Sequence, residues 1–150
     1  MFVRRDRCML AVLIMLDVAF HAGRTSAVSA ADIAERASLA RRGIEPLLQA
    51  LSRSGLLESI RGPRGGYRLG RPRRDLTLEE IVRVALADEI ATSDDGPAGE
   101  LQSRVVEKLW GDLDEDLIAR LRKTSLDELV RRAEAAGLER PLAEPITFSI

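Results

Sequence analysis

Cysteine and histidine are almost missing from this chain, which has one of each, Cys8 and His21, among 150 residues. One cysteine excludes a disulfide within the chain and fits a reducing compartment, so we expect a cytoplasmic protein. No Ser/His/Asp, Cys/His or metal-ligand set accompanies the single histidine, and general acid–base chemistry therefore has little support. An enzyme is the least favoured function class, and we predict no bound metal.

A long apolar run is also lacking. The run at residues 8–16 is far short of the roughly 20 residues that cross a bilayer. Arginines precede it and small residues follow at Val28–Ala30, in the manner of a secretory signal, but polar residues intervene and the would-be cleavage site is too distant. We therefore expect a buried helix from about Arg4 to Phe20 and no membrane partner.

Charge is divided unevenly along the chain, although the net charge is −1. Residues 1–74 carry 14 Lys or Arg and 6 Asp or Glu, a net charge of +8, whereas residues 75–150 carry 9 and 18, a net charge of −9. The basic half suits a polyanion. The acidic half would be repelled by the same polyanion and is better suited to self-association or signalling. Hydrophobic residues make up 45% of the chain, which is enough for a core.

Two helices joined by a short turn are predicted after the first helix. Ser29 stands where an N-cap is expected, and Asp32 completes a Ser-x-x-acid start. Ser38–Ala40 is then the turn. This order is typical of a helix-turn-helix, in which the second of the two helices enters a DNA groove.

The third helix has two distinct faces. It begins near Arg41 or Arg42, accommodates Pro46 because that residue lies close to the first turn, and ends at Gly55. The apolar face consists of Ile44, Leu47, Leu48 and Leu51 at helical spacing. The opposite face carries the residue types that reach base edges and phosphates, namely Arg41, Arg42, Glu45 and Gln49. A glutamate in this position is able to accept a hydrogen bond from the amino group of cytosine.

A β-hairpin with a long basic tip follows directly. Leu56–Ile60 and Tyr67–Leu69 have the apolar patterns of short strands, with Gly-Pro and Gly-Gly dipeptides between them. The tip residues are Arg61, Gly62, Pro63, Arg64 and Gly65. Pro63 fixes its own φ and the glycines permit a close approach to a surface lined with phosphates. Alone, the hairpin is equally well explained as a solvated turn. After a helix-turn-helix, it favours a DNA-binding wing over an ordinary helical hairpin.

The second half of the chain contains a short helix and a long one. Thr77-x-x-Glu80 is a capping box that opens a helix through Leu86. From Glu100 to about Arg122 apolar residues recur at three and four positions, which predicts a helix of roughly 33 Å with one apolar stripe. The stripe residues assigned to a dimer contact are Leu101, Val105, Leu109, Trp110, Leu113, Leu117 and Leu121. Pairing with a second copy is favoured over packing within the chain, because the winged domain has a core of its own.

The predicted fold is mainly α: a winged helix-turn-helix domain with a small two-stranded wing, and a long C-terminal dimerisation helix. Ser125-x-x-Glu128 caps a last helix, which Gly137 closes. The expected boundaries are residues 1–88 for the winged helix-turn-helix DNA-binding domain, 89–99 for a polar loop, 100–138 for the dimerisation helices and 139–150 for a C-terminal tail.

A set of short motifs runs through about residues 4–136. It comprises Leu16-Asp17-Val18-Ala19, Ile33-Ala34-Glu35-Arg36, Ile44-Glu45, Gly55-Leu56-Leu57, Ser59–Leu69, Thr77–Val82, Leu109-Trp110 and Ser125–Leu129. Together these motifs resemble the Rrf2 family of bacterial winged helix-turn-helix transcription regulators. The resemblance implies a homodimer that reads a partly palindromic operator on double-stranded DNA through the third helix and the wing. By position it implies that Glu45 is the base-reading glutamate and Arg61 the wing arginine, while Pro46 replaces a common glutamine.

The loop from Asp88 to Gly99 departs from the best-known members of that family. Members that sense iron or redox state have three cysteines there, which hold an iron–sulfur cluster, and this loop has none. Glu107 stands where some relatives supply a histidine ligand. We therefore predict no iron–sulfur cluster and no other cofactor. Cys8 is a candidate thiol sensor because arginines near a helix start favour a thiolate. The alternative is a small, buried apolar residue.

Two function classes remain open. The first is a dimeric operator-binding repressor that responds to an unknown effector, such as a metabolite, a thiol oxidant or a partner protein. The second is a protein-interaction module that retains the winged-helix fold, with weak or lost DNA binding, and holds another protein through its acidic half. Salt-dependent binding to DNA separates the two classes.

Overall fold

The computed structural model describes residues 5–23, 26–87 and 99–140, with side chains from Arg7 onward. In chain order the elements are helices α1 (Arg5–His21), α2 (Ala30–Arg36) and α3 (Arg41–Arg53), strands β1 (Leu57–Ile60) and β2 (Gly66–Leu69), a 3-10 turn (Arg73–Asp75), helix α4 (Leu78–Leu86), a π-helical turn (Gln102–Val106), and helices α5 (Glu107–Lys123) and α6 (Leu126–Ala135). The predicted fold class, a mainly helical chain with a two-stranded antiparallel wing, is confirmed. Within these ranges no helix combines the length and hydrophobicity that a membrane crossing requires.

Polar N-cap residues determine where three of the helices begin. Ser29, Thr77 and Ser125 each accept a hydrogen bond from the backbone N–H three residues later. At Thr77 the arrangement is reciprocal, because the Glu80 carboxylate accepts from the Thr77 N–H at 3.1 Å. These bonds satisfy N–H groups that have no partner within the helix. The predicted starts of α2, α4 and α6 are therefore confirmed.

Helices α2, α3 and α6 end in the same way. Each is followed by a residue with positive φ, which is 55° at Ser38, 80° at Gly55 and 87° at Gly137. The next residue then donates its N–H to a carbonyl in the last turn, as Leu56 does to Leu51 at 3.0 Å. Glycine adopts this left-handed conformation without steric cost, which explains why the predicted stops at Gly55 and Gly137 are correct.

The core forms around α1. This helix packs against α4 along much of its length and also contacts α2, α3, α6 and the wing. The apolar face predicted for α3 is buried in the same core: Ile44, Leu47, Leu48 and Leu51. Leu126 and Val130 of α6 are fully buried there too. Helix α6, grouped by its sequence with the dimerisation helices, thus packs on the winged part of the chain. The domain boundaries otherwise stay a prediction.

The wing is anchored to the segment before α2. Strands β1 and β2 pair with Leu57 opposite Leu69 and Ile60 opposite Gly66. Val28 adds a bridge to Tyr67, with a 2.8 Å hydrogen bond in each direction. A Cβ on Gly66 would lie 2.3 Å from the Val28 carbonyl oxygen, so only glycine permits this close approach. The hairpin is therefore fixed relative to the helix-turn-helix.

The long C-terminal helix differs from the prediction of one regular α-helix from Glu100 to Arg122. It starts at Glu100, passes through the π-helical turn Gln102–Val106 and continues as α5 to Lys123. A π-helical turn has one extra residue, so it rotates the side chains before it relative to those after it. No residue of α5 is buried in the single chain. Of the predicted loop only Gly99 lies within the described residues, and residues 141–150 of the predicted tail lie outside them.

The C-terminal end of α5 is joined to the winged part by a short backbone contact. Thr77 and Ser125, the caps of α4 and α6, lie opposite each other in an isolated antiparallel bridge. Leu78 donates its N–H to the Thr124 carbonyl at 2.9 Å, and Leu126 donates to the Leu76 carbonyl at 2.8 Å. The start of α4 and the end of α5 are thereby held side by side.

Candidate nucleic-acid interface

The first turn of α3 presents positive charge on an open surface. Arg41, Arg42 and Gly43 are all exposed, and an added Cβ on Gly43 would meet no atom within 4 Å. The N-cap is Ala40, which offers no side-chain hydrogen bond, and no acidic residue lies in the first turn. The Gly43 N–H donates to the Ala40 carbonyl at 2.9 Å, and no side chain caps this end, so the positive end of the helix dipole lies at an open surface. This environment suits an anion such as a DNA phosphate.

The polar face predicted for α3 is present, and an ion pair lies within it. Arg41 Nε is 3.0 Å from Glu45 Oε1, and the two side chains are 64% and 45% exposed. Arg42, three residues before Glu45, forms no ion pair with it, and Gln49 is exposed one turn further along. The structure thus brings Arg41, Arg42, Glu45 and Gln49 together on the side of α3 that faces away from the core.

Pro46 lies inside α3, as the sequence predicts, and is exposed. Proline has no N–H, so the Arg42 carbonyl loses the donor that it would normally have four residues later. The buried face of the helix does not depend on that hydrogen bond, because Ile44 and Leu48 are held by the core. The recognition helix therefore remains continuous through this residue.

The wing tip carries two arginines without a carboxylate partner among the described residues, Arg61 and Arg64. Both are exposed, as are Gly62 and Pro63 between them. Gly62 has a φ of 110°, and the Gly65 N–H donates to the Gly62 carbonyl at 2.9 Å, which closes a tight turn. The predicted tip is thus compact, and its positive charge is not neutralised by neighbouring side chains.

The base of the wing is different, because its arginine is already engaged. Arg68 Nε on β2 donates to Glu58 Oε2 on β1 at 2.8 Å, across a directly opposed pair of the hairpin. This hydrogen bond lowers the pKa of the Glu58 carboxyl and raises the pKa of Arg68. Unneutralised arginines of the hairpin therefore concentrate at its tip.

An ion pair between an exposed arginine and a largely shielded aspartate fixes the helix-turn-helix on α1. Arg36, at the end of α2, donates from Nε and Nη2 to the two carboxylate oxygens of Asp17 on α1, at 2.8 Å each. The hydrogen bond to Asp17 raises the pKa of Arg36. His21 Nδ1 lies 3.5 Å from the same carboxylate. Because α3 follows α2 after a short turn, this contact helps to set the direction of the recognition helix.

A second acidic residue joins α4 to α5. Glu79 accepts hydrogen bonds from Arg122 of α5 at 2.8 Å and from Arg83 of its own helix at 2.9 Å. The two guanidinium groups lower the pKa of the Glu79 carboxyl to about 2, and Arg122 has the larger effect. The carboxylate is therefore charged at neutral pH and holds the end of α5 against α4.

Residues 5–132 match the Rrf2 family, which is described as an iron-dependent transcriptional regulator. The chain belongs to the Rrf2 family. This Rrf2 protein is 37% identical over 126 residues to the HTH-type transcriptional regulator IscR of Xenorhabdus nematophila, a match that covers 83% of this chain and 76% of the relative. The predicted family is confirmed, and the chain is a transcriptional regulator with a DNA-binding fold.

Solved structures of Rrf2 relatives have the same fold. The structure of T. potens IscR superposes with a TM-score of 0.70 at 29% identity, covering 90% of each chain. CymR (YrzC), the global cysteine regulator of B. subtilis, superposes with a TM-score of 0.66 at 28% identity, covering 84% of this chain and 94% of CymR. These relatives are named as regulators and not as enzymes.

The iron in the family description prompts a comparison with the donors of this Rrf2 chain. Iron–sulfur clusters are held mainly by cysteine thiolates. The one cysteine, Cys8, is buried in the core on α1, and no group of three or more His, Cys, Asp or Glu suited to a metal occurs among the described residues. Glu107 offers only a carboxylate, on the exposed α5. This donor set does not fit a cluster. The sensor role of Cys8 stays a prediction, and its burial favours the apolar alternative.

The predicted dimer residues are mostly exposed in the single chain. Leu101 is 80% exposed, Leu109 52% and Leu113 48%, and Val105, Trp110 and Leu117 are exposed as well. Leu121 differs, because it is partly buried and packs against the core. Val106, which lies outside the predicted stripe, also exposes its side chain. An apolar surface therefore runs along the helix from the π-helical turn to Leu117.

Proposed function

We propose that this Rrf2 regulator is a cytoplasmic homodimer that binds a partly palindromic operator and represses transcription from it. In this proposal α3 lies in the major groove, where Arg41, Arg42, Glu45 and Gln49 meet base edges and phosphates. The wing tip contacts the adjacent backbone or minor groove through Arg61 and Arg64. Gly62, Pro63 and Gly65 keep the tip thin enough to approach the DNA closely.

One observation carries the proposal. Among the described residues, Arg42, Arg61 and Arg64 have no carboxylate partner, although carboxylates engage other arginines of the same half, such as Arg36 and Arg68. These three guanidinium groups lie on the outer face of α3 and at the wing tip. Phosphate binding would neutralise them and release counterions, which is the main source of affinity for DNA.

The exposed face of α5 supports the homodimer. Three apolar residues at a spacing of four are all exposed, namely Leu109, Leu113 and Leu117, and no residue of α5 is buried within the single chain. A helix that leaves so much apolar surface in water is stabilised by a partner. A second copy is the simplest partner, because a two-fold symmetric dimer presents two α3 helices to two half-sites.

The signal is proposed to be a small-molecule or protein effector. No cluster is part of the proposal, because the chain has a single cysteine and clusters are held mainly by cysteine thiolates. An effector would act by changing the relative position of the two winged parts, since the operator fixes the distance between its half-sites.

Selection from a random pool of duplex DNA tests the function directly. We expect a recovered motif with two related half-sites about one helical turn apart, and an affinity that falls steeply as salt increases. A reporter fused to a promoter that contains the motif should be less active when the protein is present. Recovery of no motif, or an affinity that does not depend on salt, would instead support the protein-interaction module.

A further inference from the structure

The outer face of α3 contains one carboxylate among cations, and a specific arginine engages it. Arg41 Nε lies 3.0 Å from one oxygen of Glu45, one helical turn away. Arg42 is one residue closer in sequence but forms no ion pair with Glu45, and Gln49 on the other side carries no charge. The pair is therefore selective, although both arginines are exposed at the same turn.

The pair leaves Glu45 able to bind a base. The contact with Arg41 involves Oε1, and an ionised carboxylate has about four acceptor sites on its two oxygens. The second oxygen can accept from the amino group of cytosine while the first remains beside the guanidinium. Arg41 is thus compatible with base reading by Glu45 and does not need to leave.

A glutamate on a DNA-facing helix needs such a partner for two physical reasons. Its charge is repelled by the phosphates, and its side chain has several rotamers in the free protein, only some of which reach a base. An adjacent guanidinium offsets the repulsion by the phosphates and restricts the rotamers of the glutamate. In water an exposed ion pair of this kind is weak, but the exclusion of water from a protein–DNA contact strengthens it.

We infer that Arg41 is a positioning residue for Glu45, and that it sets the preference of this protein for cytosine at one base pair of each half-site. Arg42 has a different role, since its guanidinium is unengaged and contacts phosphate without regard to sequence. This inference rests on the proposed function, because it requires α3 to lie in the major groove. It predicts that two adjacent arginines of equal charge differ in what they contribute to operator binding.

The test compares Arg41→Ala with its matched control Arg42→Ala. The probe is the duplex recovered by selection with the wild-type protein, prepared in four versions that differ at the base pair where Glu45→Ala alters the preference. Dissociation constants are measured for the wild type, the three single variants and the double variant Arg41→Ala/Glu45→Ala. Circular dichroism and thermal melting check that each variant is folded.

Arg41→Ala is expected to reduce discrimination among the four duplexes by about fivefold or more, toward the level of Glu45→Ala. In the Glu45→Ala background the same change should have no further effect on discrimination. Arg42→Ala should weaken binding to all four duplexes by a similar factor. It should also lower the salt dependence of the affinity by about one released counterion.

If Arg41→Ala weakens binding to all four duplexes equally, Arg41 is only a phosphate contact and the inference is overturned. Unchanged base preference in Glu45→Ala would overturn it as well, because there would be no reading by Glu45 for Arg41 to support. Both results leave the proposed function intact. Failure of the wild-type protein to select any motif would instead remove the proposed function.

Discussion

Arg36 and Asp17 form a two-point contact between α2 and α1, with both nitrogen–oxygen distances at 2.8 Å. The Asp17 side chain is only 9% exposed, so its carboxylate is largely removed from water and depends on these donors. The contact attaches the helix-turn-helix to the central helix of the core.

Removal of this contact should destabilise the fold. Arg36→Ala leaves a shielded carboxylate without its charged partner, and we expect a loss of about 1 kcal/mol in the free energy of unfolding, because partial exposure of Arg36 moderates the effect. Urea unfolding followed by circular dichroism measures it. The control is Arg132→Ala, which removes an exposed pair within α6 and should change stability little. Equal midpoints for the two variants would contradict the prediction.

The ion pairs of Glu79 should make stability depend on pH in the acid range. The pKa of its carboxyl is about 2 in the folded protein and is 4.5 in the reference state, so the unfolded chain binds the proton first. The stabilisation is therefore complete above about pH 5 and is lost as the pH falls toward 2. Wild type should have a higher urea midpoint than Glu79→Gln at pH 7, and the difference should shrink by pH 3.

Glu134→Gln is the control for the Glu79 prediction. Glu134 is an exposed residue of α6 that has no ion pair among the described residues. Its substitution should leave the urea midpoint close to that of the wild type at both pH values. A gap between wild type and Glu79→Gln that stays constant from pH 7 to pH 3 would show that Arg83 and Arg122 do not stabilise the fold through the Glu79 charge.

The wing should contribute to DNA binding through Arg61. Arg61→Ala is expected to cost about 1 to 3 kcal/mol in binding to the selected operator, with no change in melting temperature, because the exposed side chain has no hydrogen bond or ion pair to lose within the described residues. A gel-shift titration measures the dissociation constant. Arg68→Ala is the control, since Arg68 is already held by Glu58 in the same hairpin. An unchanged constant for Arg61→Ala would remove the wing from the mechanism.

The apolar face of α5 should hold the dimer together. Leu113→Asp places a charge in the proposed contact, where it would be buried without a partner, so the variant should become monomeric or aggregate. Light scattering during gel filtration gives the molar mass. Leu138→Asp introduces the same charge at another exposed leucine, after α6, and should leave the molar mass unchanged. A stable dimer for Leu113→Asp would instead favour packing within the chain.

The purified protein should be colourless and should bind DNA after anaerobic preparation with iron and sulfide. The expectation follows from ligand supply, because a cluster needs about four protein ligands and a dimer offers two copies of Cys8. Absorption spectra and assays of iron and sulfide measure the content. Stoichiometric iron and sulfide that are lost in Cys8→Ala would make Cys8 a ligand and refute the prediction.

Local signals in the sequence predicted most of the winged part. The caps at Thr77 and Ser125, and the stop at Gly55, depend on residues within one helical turn, so a short stretch is sufficient to recognise them. The buried face of α3 follows from helical spacing in the same way. The pair between Arg41 and Glu45 was missed, although a spacing of four residues was a usable signal.

Contacts between distant residues were beyond such signals. Glu79 and Arg122 are 43 residues apart, and the bridge between Val28 and Tyr67 joins a loop to a strand. Neither pair has a sequence pattern, because each depends on how complete elements pack. The π-helical turn at Gln102–Val106 is also not visible in the spacing of apolar residues, since it reflects a choice between two backbone hydrogen-bond patterns.

The bridge between Thr77 and Ser125 makes α5 a lever. The 17 residues of this helix extend about 25 Å from the point where Thr124 meets α4, so a rotation of about 10° at that point moves the far end by about 4 Å. In the proposed dimer the far end lies against the second copy. A small change of angle at Glu79 and Arg122 would then shift the far end of α5 by a distance comparable to the rise of one base pair. A shift of that size is enough for an operator to distinguish a dimer that fits its two half-sites from one that does not.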